Sequence, residues 1–454
     1  MSRIEDQASV QYVYLISIVA AIGGLLFGYD TAVIAGAIGY LQTKFELSPA
    51  LTGWAASSAI WGCVLGALIA GKASDVLGRK KVLIFTAVLF AISAVGSALP
   101  NNLTHFVVAR FIGGVGVGAA SMLSPMYISE IAPARIRGRL VTLYQLAIVL
   151  GINLIYFVNL KIAASGTEIW NVDTGWRMML GSELIPAGLF FVALFFVPES
   201  PRWLASKGMV NEAMRVLKKI NGEERGKEVF SDIQESLKEE KGTISELFEP
   251  GMRMAVIVGM FLALFSQITG INAIIYYAPE IFKSVGFGRD SAMLQTVMIG
   301  VVNTIFTFVA IKFIDKLGRR TLLLWGISGM IVCLGGVGTM FYFEMSSGPW
   351  LLLFILGFIA CFASSLGPIP WVFISEIFPT KVRGVAMSMA VFTIWIGVVL
   401  ITQLTPMMLD EIGGAYTFWV FMINAIILLV FTFKMIPETK GKTLEEIERS
   451  WKHN

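Results

Sequence analysis

Charge is scarce in this chain: Asp, Glu, Lys and Arg make up only 15% of its 454 residues, against 56% hydrophobic residues and a mean hydropathy of +0.75. No water-soluble core holds that much apolar surface, so the solvent this chain is built for is lipid. Cysteine is nearly missing too. Cys63, Cys333 and Cys361 all fall in apolar runs without metal-type spacing, and read as small buried hydrophobes rather than as a disulfide or ligand set. Of the two histidines, His105 lies near a helix end and His453 near the C-terminus, so neither suggests a proton relay. No ten-residue alternating pattern marks a barrel strand. Enzyme signatures are missing as well. The run Gly113-Gly114-Val115-Gly116-Val117-Gly118 lacks the Lys-Ser/Thr of a phosphate loop and lies in an apolar stretch, where close helix packing is its expected role. With no nucleotide-binding domain in view, ATP is not the expected energy source, and no enzyme activity, cofactor or metal is expected.

What is present is apolar length and duplication. A span needs about 20 mostly apolar residues, and twelve such runs are centred roughly on residues 26, 62, 91, 116, 152, 188, 268, 303, 333, 363, 396 and 425. In hydrocarbon their backbone polar groups are satisfied only by helices, so an all-α membrane bundle follows. Asp75-Val76-Leu77-Gly78-Arg79-Lys80 returns as Asp315-Lys316-Leu317-Gly318-Arg319-Arg320. Ser129-Glu130-Ile131-Ala132-Pro133 returns as Ser375-Glu376-Ile377-Phe378-Pro379, and Pro198-Glu199-Ser200 as Pro437-Glu438-Thr439. The chain therefore reads as two tandem six-helix halves, 1–198 and 253–436, with a polar helical linker at 199–252 and a tail at 437–454. Such doubling within a membrane is the signature of a transporter.

Lys and Arg set the expected orientation. The short loops at 72–81, 135–139, 316–320 and 381–383 hold twelve of them and the alternate set five, which places the first set and both termini in the cytoplasm. The first run has no cleavage-site pattern and is expected to stay as a span. Asp75, Arg79, Glu130, Arg135 and Arg137, with Asp315, Arg319, Glu376 and Arg383, read as weak charged latches of a cytoplasmic gate. Plain topology marking is the rival explanation.

Taken together, these motifs resemble the sugar porter family of the major facilitator superfamily over essentially the whole chain. The likeness rests on Gly23-Gly24-Leu25-Leu26-Phe27-Gly28-Tyr29-Asp30, on Arg110 with its trailing glycines, and on Pro198-Glu199-Ser200-Pro201-Arg202-Trp203. It rests equally on Gly270-Ile271-Asn272 with Tyr276-Tyr277, and on Pro437-Glu438-Thr439-Lys440-Gly441. The resemblance implies the major facilitator fold, twelve helices in two bundles, and transport of a monosaccharide or polyol by alternating access.

A carboxylate within a span costs about 2.5–3.5 kcal/mol on insertion scales, which makes Asp30 a functional candidate in need of a partner. It lies roughly 15 Å from the outer end of its helix, and Arg110 roughly 9 Å inside the outer end of span 4, so both sit in the outer half. Within the family resembled, an acid at the Asp30 position marks proton-coupled members and an arginine at the Arg110 position is its partner. A static pair fixing helix 1 on helix 4 is the bland alternative. Each charge moved through 100 mV supplies about 2.3 kcal/mol, enough for roughly fifty-fold accumulation of a neutral solute.

A polyhydroxylated solute needs amides that donate and accept, plus an aromatic face. By resemblance Gln145, Gln267, Asn272, Tyr276, Asn303 and Trp371 match sugar-contacting positions, with interhelical hydrogen bonding the rival for each amide. Phe27, Trp395 and Asn424 are further pocket candidates. Gly270, Pro368 and Pro370 are expected to interrupt their helices there. Two departures stand out: Ser266-Gln267 where a glutamine pair is common, and Ile394 where a polar residue is common. They set glucose and xylose in question and leave inositol open. The expected partners are the solute, protons and the lipid bilayer, with no nucleic acid, and the expected unit is a monomer. The expectation is a proton symporter for a hexose, a pentose or inositol in the cell membrane. A proton-independent facilitator is the near rival, and a non-transporting sensor, which would carry a long signalling tail, the distant one.

Overall fold

A computed structural model describes residues 2–133, 136–237, 245–249, 252–344, 349–378 and 380–440, without the side chains of 2–10, 315, 375, 380, 381 and 383. Among the described residues there is no strand, and twelve helices are long and apolar enough to cross a membrane. In the first half these are spans 1 to 6: Gln11–Lys44, Pro49–Leu77, Arg79–Ala98, Leu103–Ile131, Arg137–Ala164 and Glu168–Leu194. In the second half spans 7 to 12 are Arg253–Ser284, Arg289–Ile314, Arg319–Tyr342, Pro349–Ile374, Gly384–Glu411 and Gly413–Met435. Between the halves lie three short helices, Pro201–Ser206, Val210–Asn221 and Glu223–Ser236, closed on a small core of Leu204, Ala213, Leu217 and Phe230. They sit against the end of the bundle that carries the repeated charged loops, called here the basic end.

Local sequence explains where the helices start. At the end opposite the basic loops, Ser48 accepts from the Leu51 amide ahead of Pro49, and Asn102 accepts from that of His105. At the basic end, spans 2 and 3 meet at Gly78 (φ +99°), and spans 8 and 9 at Gly318 (φ +90°), a backbone region open to glycine.

Glycine also sets how close the helices come. Gly62 and Gly66 of span 2 pack on the carbonyls of Phe111 and Val115 in span 4, and Gly114 and Gly118 pack in return on those of Ala59 and Cys63. Spans 1 and 5 use the same device, Gly28 on the Ile148 carbonyl and Gly151 on that of Leu25. Without a hydrophobic drive between helices in lipid, such backbone approach is what holds them. The three cysteines are free, and the Sγ atoms of Cys333 and Cys361 pack over Gly357 and Gly329 of each other's helix.

Four departures from regular helix shape the centre. Span 7 breaks at Gly270 (φ +93°), and span 10 breaks between Ser364 and Ile369. Pro279 in span 7 and Pro406 in span 11 have no N–H, which leaves the carbonyls of Ile275 and Thr402 without their helical donors. Tyrosines take both: the Tyr156 hydroxyl donates to Ile275 at 2.6 Å, and the Tyr277 hydroxyl to Thr402 at 2.7 Å.

Gly114→Val is expected to push span 2 off span 4 and to cost about 1–3 kcal/mol. Thermal unfolding of the detergent-purified protein checks this, and an unchanged transition temperature would remove the packing role.

Candidate functional site

Span 1 carries Asp30 and span 4 carries Arg110, and the glycine contacts around both helices bring them together inside the first half. Arg110 Nη1 donates to Asp30 Oδ1 at 2.6 Å, and Nη2 donates to the Asp30 backbone carbonyl at 2.8 Å. The side chains are 0% and 1% exposed. At that burial the pair exists only because each charge satisfies the other. Asp30 Oδ2 and Arg110 Nε have no hydrogen-bond partner among the described residues.

A third charged group, which the sequence reading does not single out, completes the cluster. Glu183 of span 6 is 1% exposed and interacts electrostatically with both Asp30 and Arg110. Next to it Ser182 hydrogen-bonds the Tyr29 hydroxyl at 2.8 Å, which ties span 6 to the turn of span 1 that holds Asp30. One guanidinium and two carboxyls in a dry volume are neutral together only when one carboxyl carries a proton. The signal in the sequence is an acid inside the sixth apolar run.

The polar pocket residues come together in the second half around the break in span 7. Asn272 Nδ2 donates to Gln267 Oε1 at 2.9 Å, and Gln267 Nε2 donates to Ser266 Oγ at 3.0 Å, so the amides form a chain along one wall. Tyr276, one turn beyond Asn272, is buried beside Thr31 of span 1. Phe27 of span 1 and Trp395 of span 11 face each other with ring centroids 5.5 Å apart, an apolar bridge between the halves. Gln145 on span 5 is half-buried and Asn303 on span 8 is buried, on two helices packed against each other across the seam. Trp371 stands on the segment Ile369–Ile377 beyond the break in span 10, with its residue 36% exposed. Ile394 is buried. Asn424 is engaged elsewhere: its Nδ2 donates to the Ile268 carbonyl at 2.9 Å, satisfying the backbone at the break in span 7.

At the basic end the three repeated motifs form the same module in each half. Arg79 reaches Asp75 at 3.1 Å and forks onto both oxygens of Glu130 at 3.1 and 3.2 Å, while Ser200 donates to Glu130. Glu199 accepts from the amides of Arg79 and Lys80 at 2.9 and 3.1 Å, capping span 3. In the second half Arg319 donates to Glu376 at 2.8 Å, Thr439 donates to the other Glu376 oxygen at 2.6 Å, and Glu438 caps span 9 through the amides of Arg319 and Arg320. The sequence shows the Pro-Glu-Ser/Thr echo, and the structure gives it this capping role. These contacts run within each half. Asp75, Arg79, Glu130 and Arg137 also line a cavity of about 900 Å³ shared with the linker helices. Arg135 lies outside the described residues, as do the side chains of Asp315 and Arg383.

Toward the opposite end the halves touch. Tyr156 bonds the Ile275 carbonyl across the seam, Arg289 pairs with Glu168 at 3.3 Å, and Gln403 bonds Ser57 and Ala50. The arrangement is a bundle fastened across its seam at one end, with charges paired inside each half at the other.

The family described as "Sugar (and other) transporter" matches residues 16–451. The chain is 49% identical to the arabinose-proton symporter of Bacillus subtilis (strain 168) over 444 residues, covering 98% of this chain and 96% of that one. It is 41% identical to the D-xylose-proton symporter of Escherichia coli (strain K12) over 477 residues, covering 98% and 97%. The solved inward open conformation of the xylose transporter from E. coli matches at a TM-score of 0.87 and 41% identity, covering 97% of this chain and 100% of that chain.

Arg110→Leu alone is expected to cost about 3–5 kcal/mol, because it strands a buried carboxylate. Adding Asp30→Asn should restore much of that loss. Unfolding temperatures of the two single variants and the double variant test it, and additive losses would show that the pair is not coupled.

Proposed function

The chain belongs to the sugar transporter family, has the major facilitator fold and is not an enzyme. From that premise we propose that it imports a monosaccharide or related polyol together with a proton, by alternating access. The observation that carries this reading is the Asp30–Arg110 pair, sealed from solvent and approached by a second buried acid, Glu183.

In this reading the basic end is cytoplasmic, as the Lys and Arg count supports, and both termini lie there. The protein sits in the cell membrane and works as a monomer. The fastened end is then the outer one, and the conformation is inward-facing. The first bundle, 1–198, and the second, 253–436, rock against each other, with 199–252 as the linker. When the outer end is shut, the solute meets the amides of Gln267, Asn272 and Asn303 from the second half, with Gln145 across the seam. Trp371 supplies the aromatic face, and Phe27 and Trp395 flank the site. Asn424 keeps the backbone break in shape from behind.

The proton works through charge. With Asp30 ionised, the pair with Arg110 locks span 1 to span 4. Protonation of Asp30 removes the attraction and lets those helices separate by the small amount that rocking needs. Glu183 offers a second carboxyl within the same electrostatic reach, so the proton has two places to reside. The modules around Arg79 and Arg319 act as the inner gate, built on the largely buried pairs Arg79–Glu130 and Arg319–Glu376, so that each set breaks and re-forms as a unit.

The relatives named for arabinose and xylose favour an aldopentose within the wider class of hexose, pentose or inositol. Ser266 and Ile394 leave the pocket less polar on that side. Purified protein in liposomes, given a panel of labelled sugars and inositol with and without an imposed pH gradient, decides both solute and coupling.

Asp30→Asn is expected to stop uphill accumulation while solute exchange continues; undiminished uphill uptake would refute the coupling role. Trp371→Ala is expected to weaken solute binding by about 1–3 kcal/mol, or roughly 5- to 150-fold. Isothermal titration with the transported sugar measures it, and wild-type affinity would remove the aromatic face from the account.

A further inference from the structure

At the fastened end, one uncharged side chain joins the halves at two points. Gln403 Nε2 donates to the Ala50 carbonyl at 3.0 Å, and its Oε1 accepts from Ser57 Oγ at 2.8 Å. Ala50, Gly53 and Ser57 are three and four residues apart, so they form one stripe on the first two turns of span 2. Gly53 makes the room between the two bonds. A Cβ there would run into the Gln403 backbone carbonyl and stand 3.0 Å from Nε2. A primary amide suits this position because it donates from one corner and accepts at the other in a single plane.

The amide is also held from behind. Pro406, three residues on, leaves the Thr402 carbonyl to the Tyr277 hydroxyl, which ties this stretch of span 11 to span 7 of its own half. Gln403 therefore projects from the second half as part of a rigid body and reaches onto the first.

We propose that Gln403 is the positioning residue that sets the ratio of closed to open at the outer end, a clasp that engages when the halves meet there. The proposal rests on the alternating-access reading for its biological use, though not for its test. The Arg289–Glu168 pair, which joins the halves elsewhere at this end, is partly exposed and is screened by salt. The amide clasp responds to neither salt nor protonation. Its two bonds return to water on opening, so it biases the equilibrium without locking it. Closure then stays available at any proton load, and the titrating group deeper inside remains the element that couples the ion to the motion.

The test reads distance, not transport. Spin labels are placed at Lys161→Cys and Asp410→Cys, exposed positions near the outer ends of spans 5 and 11. Cys63, Cys333 and Cys361 are replaced by serine, and the full chain in nanodiscs is measured by pulsed electron spin resonance without solute. Gln403→Leu is expected to raise the population at the longer distance by on the order of tenfold relative to the shorter one. Ser57→Ala, which removes one bond and keeps the helix packing, should give a smaller shift in the same direction. An unchanged distribution in both variants overturns the proposal. So does an equal shift from Leu404→Ala, whose lipid-facing side chain is 41% exposed and which leaves Gln403 and its partners in place. A chain that moved no sugar would still show the Gln403 shift, so failure here is distinct from failure of the transport reading.

Discussion

The arrangement depends on a charge pair that has no business in hydrocarbon. Asp30 and Arg110 are tolerable at 0% and 1% exposure only because the guanidinium meets both the carboxylate and the backbone carbonyl of the same residue. That demands close, exact helix placement, and the glycines on spans 1, 2, 4 and 5 supply it. Gly113, next to the turn that carries Arg110, lies against Ser93 with Asp30 just beyond, so even a methyl group there would collide with the Ser93 side chain beside the pair. The tight packing of the first half is in this sense the container for one ion pair. The second half keeps its polarity neutral, in amides and aromatic rings, and takes its irregular backbone at Gly270 and around Pro368. Chemistry is thus divided between the halves: a buried ion pair on one side, neutral amides around a broken helix on the other.

The duplication has a mechanical reading of its own. Each half needs an arginine paired with a glutamate, a hydroxyl on that glutamate, and a second glutamate capping the next helix. Arg79, Glu130, Ser200 and Glu199 do this in the first half, and Arg319, Glu376, Thr439 and Glu438 in the second. Three motifs far apart in the chain prove to be one structure. Their return in the same order in the second half is the trace of that dependence.

Features that lipid imposes directly were legible in the sequence. Span number, the doubling, the helix breaks at Gly270 and Pro368, and the pairing of an intramembrane acid with an intramembrane base all follow from the cost of exposing polar groups in hydrocarbon. Features that depend on which faces meet were not. Glu183 stands in an apolar run, but near the polar stretch Asp173 to Arg177 it looks interfacial. Its burial comes from packing of span 6 against span 1 through Ser182 and Tyr29. Asn424 reads as a pocket amide by type, and only the geometry shows its nitrogen turned to the Ile268 carbonyl. Gln403 carries no local signal at all, because its partners are 346 and 353 residues away. The approach of Cys333 to Cys361 is silent in the sequence for the same reason.

The two kinked helices carry a consequence for water. Pro279 removes for good the amide that would have answered Ile275, so this carbonyl has no way to be satisfied by its own helix. While the seam is shut, a phenol from the opposite bundle fills the vacancy; once the seam parts, only solvent or a passing hydroxyl can. Wetting and opening are thereby one event at that atom, and sealing the vestibule must expel whatever had settled on it.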